Sequence, residues 1–287
     1  MSRYRRLKVL AMILSIVLSP TAALAIGSIV DGNVTFAHTN DFSTSRGNTV
    51  DTLFTGAATG NQQYESWWFF RVQGDGSETA FGTPDIELYS GSTGYLTFLD
   101  PGGAGFFSAV LGIQVFDTGT NSGNLFQVLS VTNTSGASLT IDIFHYSDLE
   151  VGGNSAADSA TLGTLSGAIV LDVADGTDTA PIGAYGADEY WVSEWGTGNN
   201  VLKNLTDGNF DNLGNRGLPF GAGDFTAAFQ WSRTFDPGQT LTFMSQFGSN
   251  SPLLNPLITT VPESGTAILM GLGLIGLSIV GSRKRAA

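Results

Sequence analysis

Apolar and polar residues alternate with a period of two over many short stretches of this chain, most clearly from Phe225 to Thr234. Phe225, Ala227, Phe229 and Trp231 fall on one side of an extended strand, with Thr226, Gln230, Ser232 and Thr234 on the other. Asp236-Pro237-Gly238-Gln239 then carries a turn, Pro fixing φ and Gly accepting a positive φ. The return stretch 240–247 sets Leu241, Phe243 and Phe247 on one face, so the pattern predicts a hairpin over 225–247. A second hairpin is predicted where 125–133 and 138–146 flank Thr134-Ser135-Gly136-Ala137; there Leu139, Ile141 and Ile143 alternate with Thr140 and Asp142. Further strands are expected at 67–72, 95–99, 109–116, 168–173 and 190–195. Helical periodicity is confined to the termini, and no repeat of fixed period occurs. The expected fold is all-β, an antiparallel β-sandwich of jelly-roll-like form.

The two ends follow another logic. Arg3, Arg5, Arg6 and Lys8 precede an apolar run at 9–18, and Ala23-Leu24-Ala25 supplies a small-x-small site, so 1–25 reads as a signal peptide cleaved after Ala25. At the other end, 265–282 contains no charge, and as a helix it would rise about 27 Å, roughly the thickness of a hydrocarbon core. Arg283, Lys284 and Arg285 follow at once, the basic stop of a transmembrane helix whose end stays in the cytoplasm. The working ectodomain is then 26–248, with 249–260 as a linker containing Pro252 and Pro256.

Charge sharpens this picture. Of the 12 Lys+Arg only Arg46, Arg71, Lys203, Arg216 and Arg233 lie in the body, whereas of the 25 Asp+Glu only Glu263 lies outside it. So acidic a body excludes nucleic acid as a partner, because phosphate binding needs basic surface. The absence of cysteine excludes disulfides, thiolate metal sites and cysteine nucleophiles. With about 235 residues left, one hydrophobic core suffices for stability.

Candidate chemistry is sparse. Asp148, Glu150, Asn154 and Asp158 form an acidic loop after a strand, and Asp207, Asn209 and Asp211 alternate as hard oxygen ligands do, so both are candidate calcium sites; the alternative is that Asp and Asn only build turns. The second loop lacks the Gly and Glu of an EF-hand, having Asn212 and Leu218 at those places. His38 and His145 stand far apart, with no zinc motif and no Gly-x-Ser-x-Gly elbow. Glu65, Glu78 and Glu87 are carboxylates of the kind a glycosidase pair needs, but no spacing singles them out, and the chain is expected not to be an enzyme. The aromatic runs Trp67-Trp68-Phe69-Phe70 and Tyr190-Trp191, with Trp195, suit either core packing or stacking against sugars, and core packing is the commoner use.

The tail carries a resemblance. Val261, Pro262 and Glu263, the Gly-Leu run Gly271-Leu-Gly-Leu-Ile-Gly-Leu277 and the basic end together resemble the PEP-CTERM sorting signal of Gram-negative, exopolysaccharide-producing bacteria, with Ser264 where a second Pro is usual. The resemblance implies recognition by exosortase, an inner-membrane intermediate with its body in the periplasm, and delivery to the outer surface or matrix. The stretch 219–231 also has the look of the last hairpin of such proteins. The expected role is a structural or adhesive protein of the cell surface or biofilm. The alternatives are an anchored carbohydrate-binding module, touching exopolysaccharide, and a surface glycan hydrolase or lyase.

Overall fold

The period-2 segments form strands close to where the pattern puts them, yet the two clearest candidates for hairpins do not pair with each other. The computed structural model describes residues 27–39, 42, 52–56 and 60–254. In chain order the strands are β1 (Ser28–Asp31), β2 (Val34–His38), β3 (Thr52–Thr55), β4 (Gln63–Val72), β5 (Thr79–Ala80), β6 (Ile86–Ser90), β7 (Thr93–Phe98), β8 (Phe107–Gly119), β9 (Ser122–Asn133) and β10 (Leu139–Leu149). They continue as β11 (Asp158–Leu165), β12 (Ala168–Asp175), β13 (Asp178–Thr179), β14 (Ile182–Tyr185) and β15 (Glu189–Glu194). A short helix α1 (Val201–Thr206) follows, then β16 (Phe220–Gly223), β17 (Phe225–Phe235) and β18 (Thr240–Ser249). The large sheet runs β16-β11-β12-β14-β18-β9-β8-β7-β6, with β13 on β12; the small sheet runs β15-β17-β10-β4-β5, and β1-β2-β3 form a third. The ladders are antiparallel, so the fold is all-β as the sequence leads one to expect.

Both expected hairpins are corrected. β9 pairs with β8 and β18, whereas β10 pairs with β4 and β17; β17 pairs with β15 and β10, whereas β18 pairs with β14 and β9. Each turn is therefore an arch that carries the chain from one sheet to the other. The Pro-Gly turn forms, with Gly238 at φ 77° and the Gln239 N–H donating to the Asp236 carbonyl at 3.0 Å. The physical reason for the correction is that alternation fixes which residues share a face, not whether the partner lies beside the strand or across from it. Asn133 stitches the two arches. Its Nδ2 donates to the carbonyls of Ala137 (2.8 Å) and Phe235 (3.0 Å), its Oδ1 accepts from the Ser135 N–H (2.9 Å), and its own carbonyl accepts from the Gly238 N–H (2.8 Å).

The facing sides of the two sheets make the core. Trp68 of β4 stacks on Trp231 of β17 at 5.8 Å, Trp231 meets Phe243 of β18 edge-on at 5.9 Å, and Phe70 meets Phe107 of β8 at 5.0 Å. Phe225, Ala227, Phe229 and Trp231 are all buried, as the alternation requires. Their neighbours Thr226, Ala228 and Gln230 are buried as well, which alternation alone does not anticipate. The reason is a second cover. Asn200 caps α1 by accepting from the Lys203 N–H at 2.9 Å, and α1 with the loop after it lays Val201, Leu205 and Leu213 on the other side of the small sheet. The Leu213 N–H donates to Gln230 Oε1 at 3.1 Å.

Arg71 pins that cover. It is ion-paired to Glu78 and, at 2.6 Å, to Asp142; it donates to Asn212 Oδ1 at 2.7 Å, and the Phe210 ring lies 3.6 Å from its guanidinium carbon. Ser249, where the expected linker begins, ends β18, and Leu254 still accepts from the Tyr185 hydroxyl at 2.9 Å. The expected cleavage site at Ala23 and Ala25, the motif Val261-Pro262-Glu263, the membrane stretch 265–282 and Arg283-Lys284-Arg285 lie outside the described residues. Among the described residues no helix is long and apolar enough to cross a membrane.

Because Asn133 serves both arches from a buried position, Asn133→Ala should cost about 2–4 kcal/mol in denaturant unfolding, since it removes the side-chain bonds to the Ala137 and Phe235 carbonyls and to the Ser135 N–H. Ser135→Ala, at the exposed edge of the same turn, should cost less than about 1 kcal/mol. Equal losses would mean that Asn133 does not carry the crossing.

Candidate carboxylate site

Asp148 marks the place where carboxylates converge. β10 puts Tyr146 and Asp148 on the face of the small sheet that turns away from the large one, and the register sets Asp148 between Glu65 of β4 and Thr226 of β17. Directly opposed residues on antiparallel strands have Cβ atoms about 5 Å apart, so Asp148 and Glu65 are forced together. Glu150 follows as β10 ends. Asp158 opens β11 and pairs with Gly223, and Asp224 is the single residue between β16 in the large sheet and β17 in the small one. Glu194 ends β15 with its carboxylate beside Gly223, where a Cβ would lie 3.3 Å from Glu194 Oε1. Burial is graded. Glu65, Tyr146, Asp148 and Asp158 are buried, Glu150 and Asp224 half-buried, and Glu194 exposed.

The electrostatics follow from that crowding. Burial pushes the Asp148 carboxyl well above the usual range, and the charges of Asp224, Glu65, Glu150 and Asp158 push it further. Asp158 is raised to about 7, first by burial and then by Asp175 and Asp224; the N–H groups of Val151 and Phe225 pull the other way but neither closes to a hydrogen bond. Glu150 is raised by burial and then by Asp224, and Asp224 by burial and then by Glu194. Burial also raises the Tyr146 phenol, with Asp148, Glu65 and Asp224 adding to it, and its hydroxyl has no hydrogen-bond partner. Among the described residues no cation contributes to the shift of any of these groups. Carboxylates so placed hold protons at pH values where ordinary ones are ionised.

Of the residues singled out from the sequence, Asp148, Glu150 and Asp158 are thus brought together. Asp207, Asn209 and Asp211 are not part of this group. Asp207 Oδ1 accepts from the Asn209 N–H at 2.8 Å, and the Asp211 N–H donates to Glu78 Oε1 at 3.1 Å, which is turn and anchoring chemistry. Among the described residues no three His, Cys, Asp or Glu side chains are arranged to hold a metal ion. Glu65, Glu78 and Glu87 go to three places: Glu65 to the cluster, Glu78 to Arg71, and Glu87 to β6, where it accepts from the Tyr89 hydroxyl at 3.1 Å. His38 and His145 are each lowered to about 3 by burial. His145 Nε2 lies 3.0 Å from Ser66 Oγ, the spacing of a nucleophile and its base. Yet both are buried between the sheets, and Nδ1 of His145 has no orienting partner, so the pair is a core contact.

Asp224, Glu194 and Tyr146 were not legible as site residues. Asp224 looks like one more acid in a Gly-rich turn, and its importance comes from the chain crossing between sheets at that residue.

No protein-family model and no curated protein matches this chain. Among solved structures, a bacterial glucoamylase complexed with acarbose aligns with TM-score 0.51 at 10% identity, covering 78% of this chain and 32% of that one. This chain therefore spans about a third of the glucoamylase, and the likeness is one of fold. A galactose mutarotase related enzyme from Lactobacillus acidophilus aligns with TM-score 0.48 at 8% identity, covering 79% of this chain and 97% of its own. A polysaccharide lyase aligns with TM-score 0.45 at 12% identity, covering 78% of this chain and 34% of its own. The expectation that the chain is not an enzyme is corrected by this finding: the bacterial glucoamylase whose fold it shares is an enzyme. Spacing along the sequence does not reveal the carboxylate cluster, because its members come from separate segments.

The raised carboxylates have a consequence for stability. A carboxyl with a raised folded pKa binds its proton more tightly when folded, so stability falls as pH rises from the unfolded value near 4 to the folded value. For Asp158 that window is about pH 4 to about 7. The melting temperature should drop across it, and Asp158→Asn should flatten the slope by up to about 1.4 kcal/mol per pH unit. A wild-type melting temperature that rises between pH 4 and pH 7 would contradict the placement of these carboxyls.

Proposed function

We propose that this protein is a surface-held carbohydrate-active enzyme, a two-layer β-sandwich that cleaves a glycan at the Glu150–Asp224 end of the carboxylate cluster. The observation that carries the reading is the graded cluster itself. Buried Asp148, Asp158 and Glu65 stand behind two half-buried carboxylates that solvent reaches. The chemistry is that of two carboxylates whose environments hold them in different protonation states. The protonated member of the Glu150–Asp224 pair gives its proton to the glycosidic oxygen as the C–O bond breaks. The ionised member takes a proton from the water whose oxygen bonds to the anomeric carbon. Burial and the charge of Asp224 raise Glu150, and burial and the charge of Glu194 raise Asp224, which disfavours ionisation of both members together.

The fold shared with the glucoamylase supports a carbohydrate substrate over an adhesive role. The tail supports the location. Its PEP-CTERM-like residues Val261, Pro262 and Glu263 would present the chain to exosortase, and the stretch 265–282 with Arg283, Lys284 and Arg285 would hold it in the inner membrane with the body outside the cytoplasm. An enzyme so placed meets exopolysaccharide during its export.

The test is release of reducing ends from a panel of polysaccharides by the full-length protein. Asp224→Asn and Glu150→Gln should each lower the rate at least about 100-fold, as loss of a general acid or base does, and the pH–rate profile should be bell-shaped. Asp207→Asn, in the unconnected loop, should leave the rate within about twofold. Binding to glycans without release of reducing ends by wild type would return the reading to a carbohydrate-binding module.

A further inference from the structure

The geometry points to Trp195 as the stacking platform of a subsite for an uncharged glycan, set against the carboxylate cluster; this deepens the proposed function and rests on the same site. Of the chain's five tryptophans, Trp67, Trp68, Trp191 and Trp231 are buried to 5% exposure or less, whereas Trp195 is 47% exposed. Core packing therefore accounts for four of them and leaves Trp195 unexplained. A large ring held in water forgoes the burial that makes Trp useful in a core. Its backbone is fixed all the same. The Trp195 N–H donates to the Asp224 carbonyl at 2.8 Å, and Thr197 Oγ1 donates to the Glu194 carbonyl at 3.0 Å, closing a tight turn in which Gly196 has φ 72°. Trp195 is thus bonded through its backbone to Asp224 and is next in sequence to Glu194, two members of the cluster.

A second observation points inward from the same place. The Tyr146 hydroxyl is fully buried, has no partner, and faces Asp148, Glu65 and Asp224. A buried hydroxyl without a partner beside carboxylates leaves both donor and acceptor capacity unused, which sugar hydroxyls or the water they carry satisfy.

The combination selects a ligand class. One face of a pyranose is lined by C–H groups and suits an indole, while its hydroxyls are donors that carboxylates accept. The charge excludes the acidic sugars. Glu194, Glu150 and Asp224 form the accessible lip, and among the described residues no cation offsets their mutual repulsion there, so a uronate or sulfated chain would add like charge at close range. Trp195 would act on binding, through contact with a sugar unit beside the bond that reacts, and hardly on the chemical step.

The experiment uses the full-length protein and four neutral probes, namely maltohexaose, cellohexaose, xylohexaose and mannohexaose, with a hexagalacturonate as the acidic probe. At least one neutral hexasaccharide should bind and change the tryptophan fluorescence. Trp195→Ala should weaken that binding at least tenfold, raise KM with kcat within about twofold, and leave the melting temperature unchanged; Trp195→Phe should restore part of the affinity. Hexagalacturonate should bind at least tenfold more weakly, with the gap narrowing as salt is raised. Unaltered binding by Trp195→Ala overturns the platform even if reducing ends are released, and tighter binding of hexagalacturonate overturns the uncharged class. Trp195-dependent binding with no release of reducing ends by wild type upholds the platform and overturns the catalytic reading. Failure of every neutral hexasaccharide to bind overturns this inference.

Discussion

The chain crosses from one layer to the other twice at the same end of its central strands, after β9 and after β17, and Asn133 is the residue on which those two crossings meet. Its side chain bonds the carbonyls of Ala137 in one arch and Phe235 at the start of the other, and its backbone carbonyl accepts from Gly238. An arch turns two successive apolar faces toward each other, whereas a hairpin would turn both the same way. The core therefore closes between β9 and β18 on one side and β10 and β17 on the other, with Trp68, Trp231 and Phe243 interlocked between them.

That crossing has a price at the opposite end of the same strands. β10 and β17 are central in the small sheet and buried on both faces, because α1 and its loop cover the side turned away from the core. Thr226 and Gln230 find partners there, Thr226 with Ser193 at 2.9 Å and Gln230 with the Leu213 N–H at 3.1 Å. Asp148 has the same kind of position with, among the described residues, no compensating cation, and its neighbours on β4 and at the ends of β11 and β16 include more acids. Buried carboxylates left so close weaken the fold, which is the pattern expected where a site matters more than stability. Arg71 shows the contrast: Glu78 and Asp142 both pair with its guanidinium, and that region reads as an anchor for the covering loop.

The functional reading grows from this asymmetry. The fold is shared with a bacterial glucoamylase at 10% identity, while the arrangement of Glu150, Asp224, Tyr146 and Trp195 belongs to this chain's own residues. Access decides which polar groups can act. Ser66 and His145 have a suggestive separation but lie inside the core, whereas Glu150 and Asp224 stand at the surface end of a buried acidic group.

The sequence by itself determined the local facts. Alternation at 225–235 established a strand and its inward residues, the Pro-Gly turn established a reversal, and 148–158 marked an acidic end, because these follow from neighbours along the chain. Only the tertiary structure decided which strands pair. Period-2 patterning is the same for a hairpin and an arch, so the partners β4 and β17 of Asp148 were not legible, and neither was the meeting of Glu65, Asp148, Asp158 and Asp224. It also separated Trp195 from the other four tryptophans, since composition counts rings while burial depends on which face another element covers.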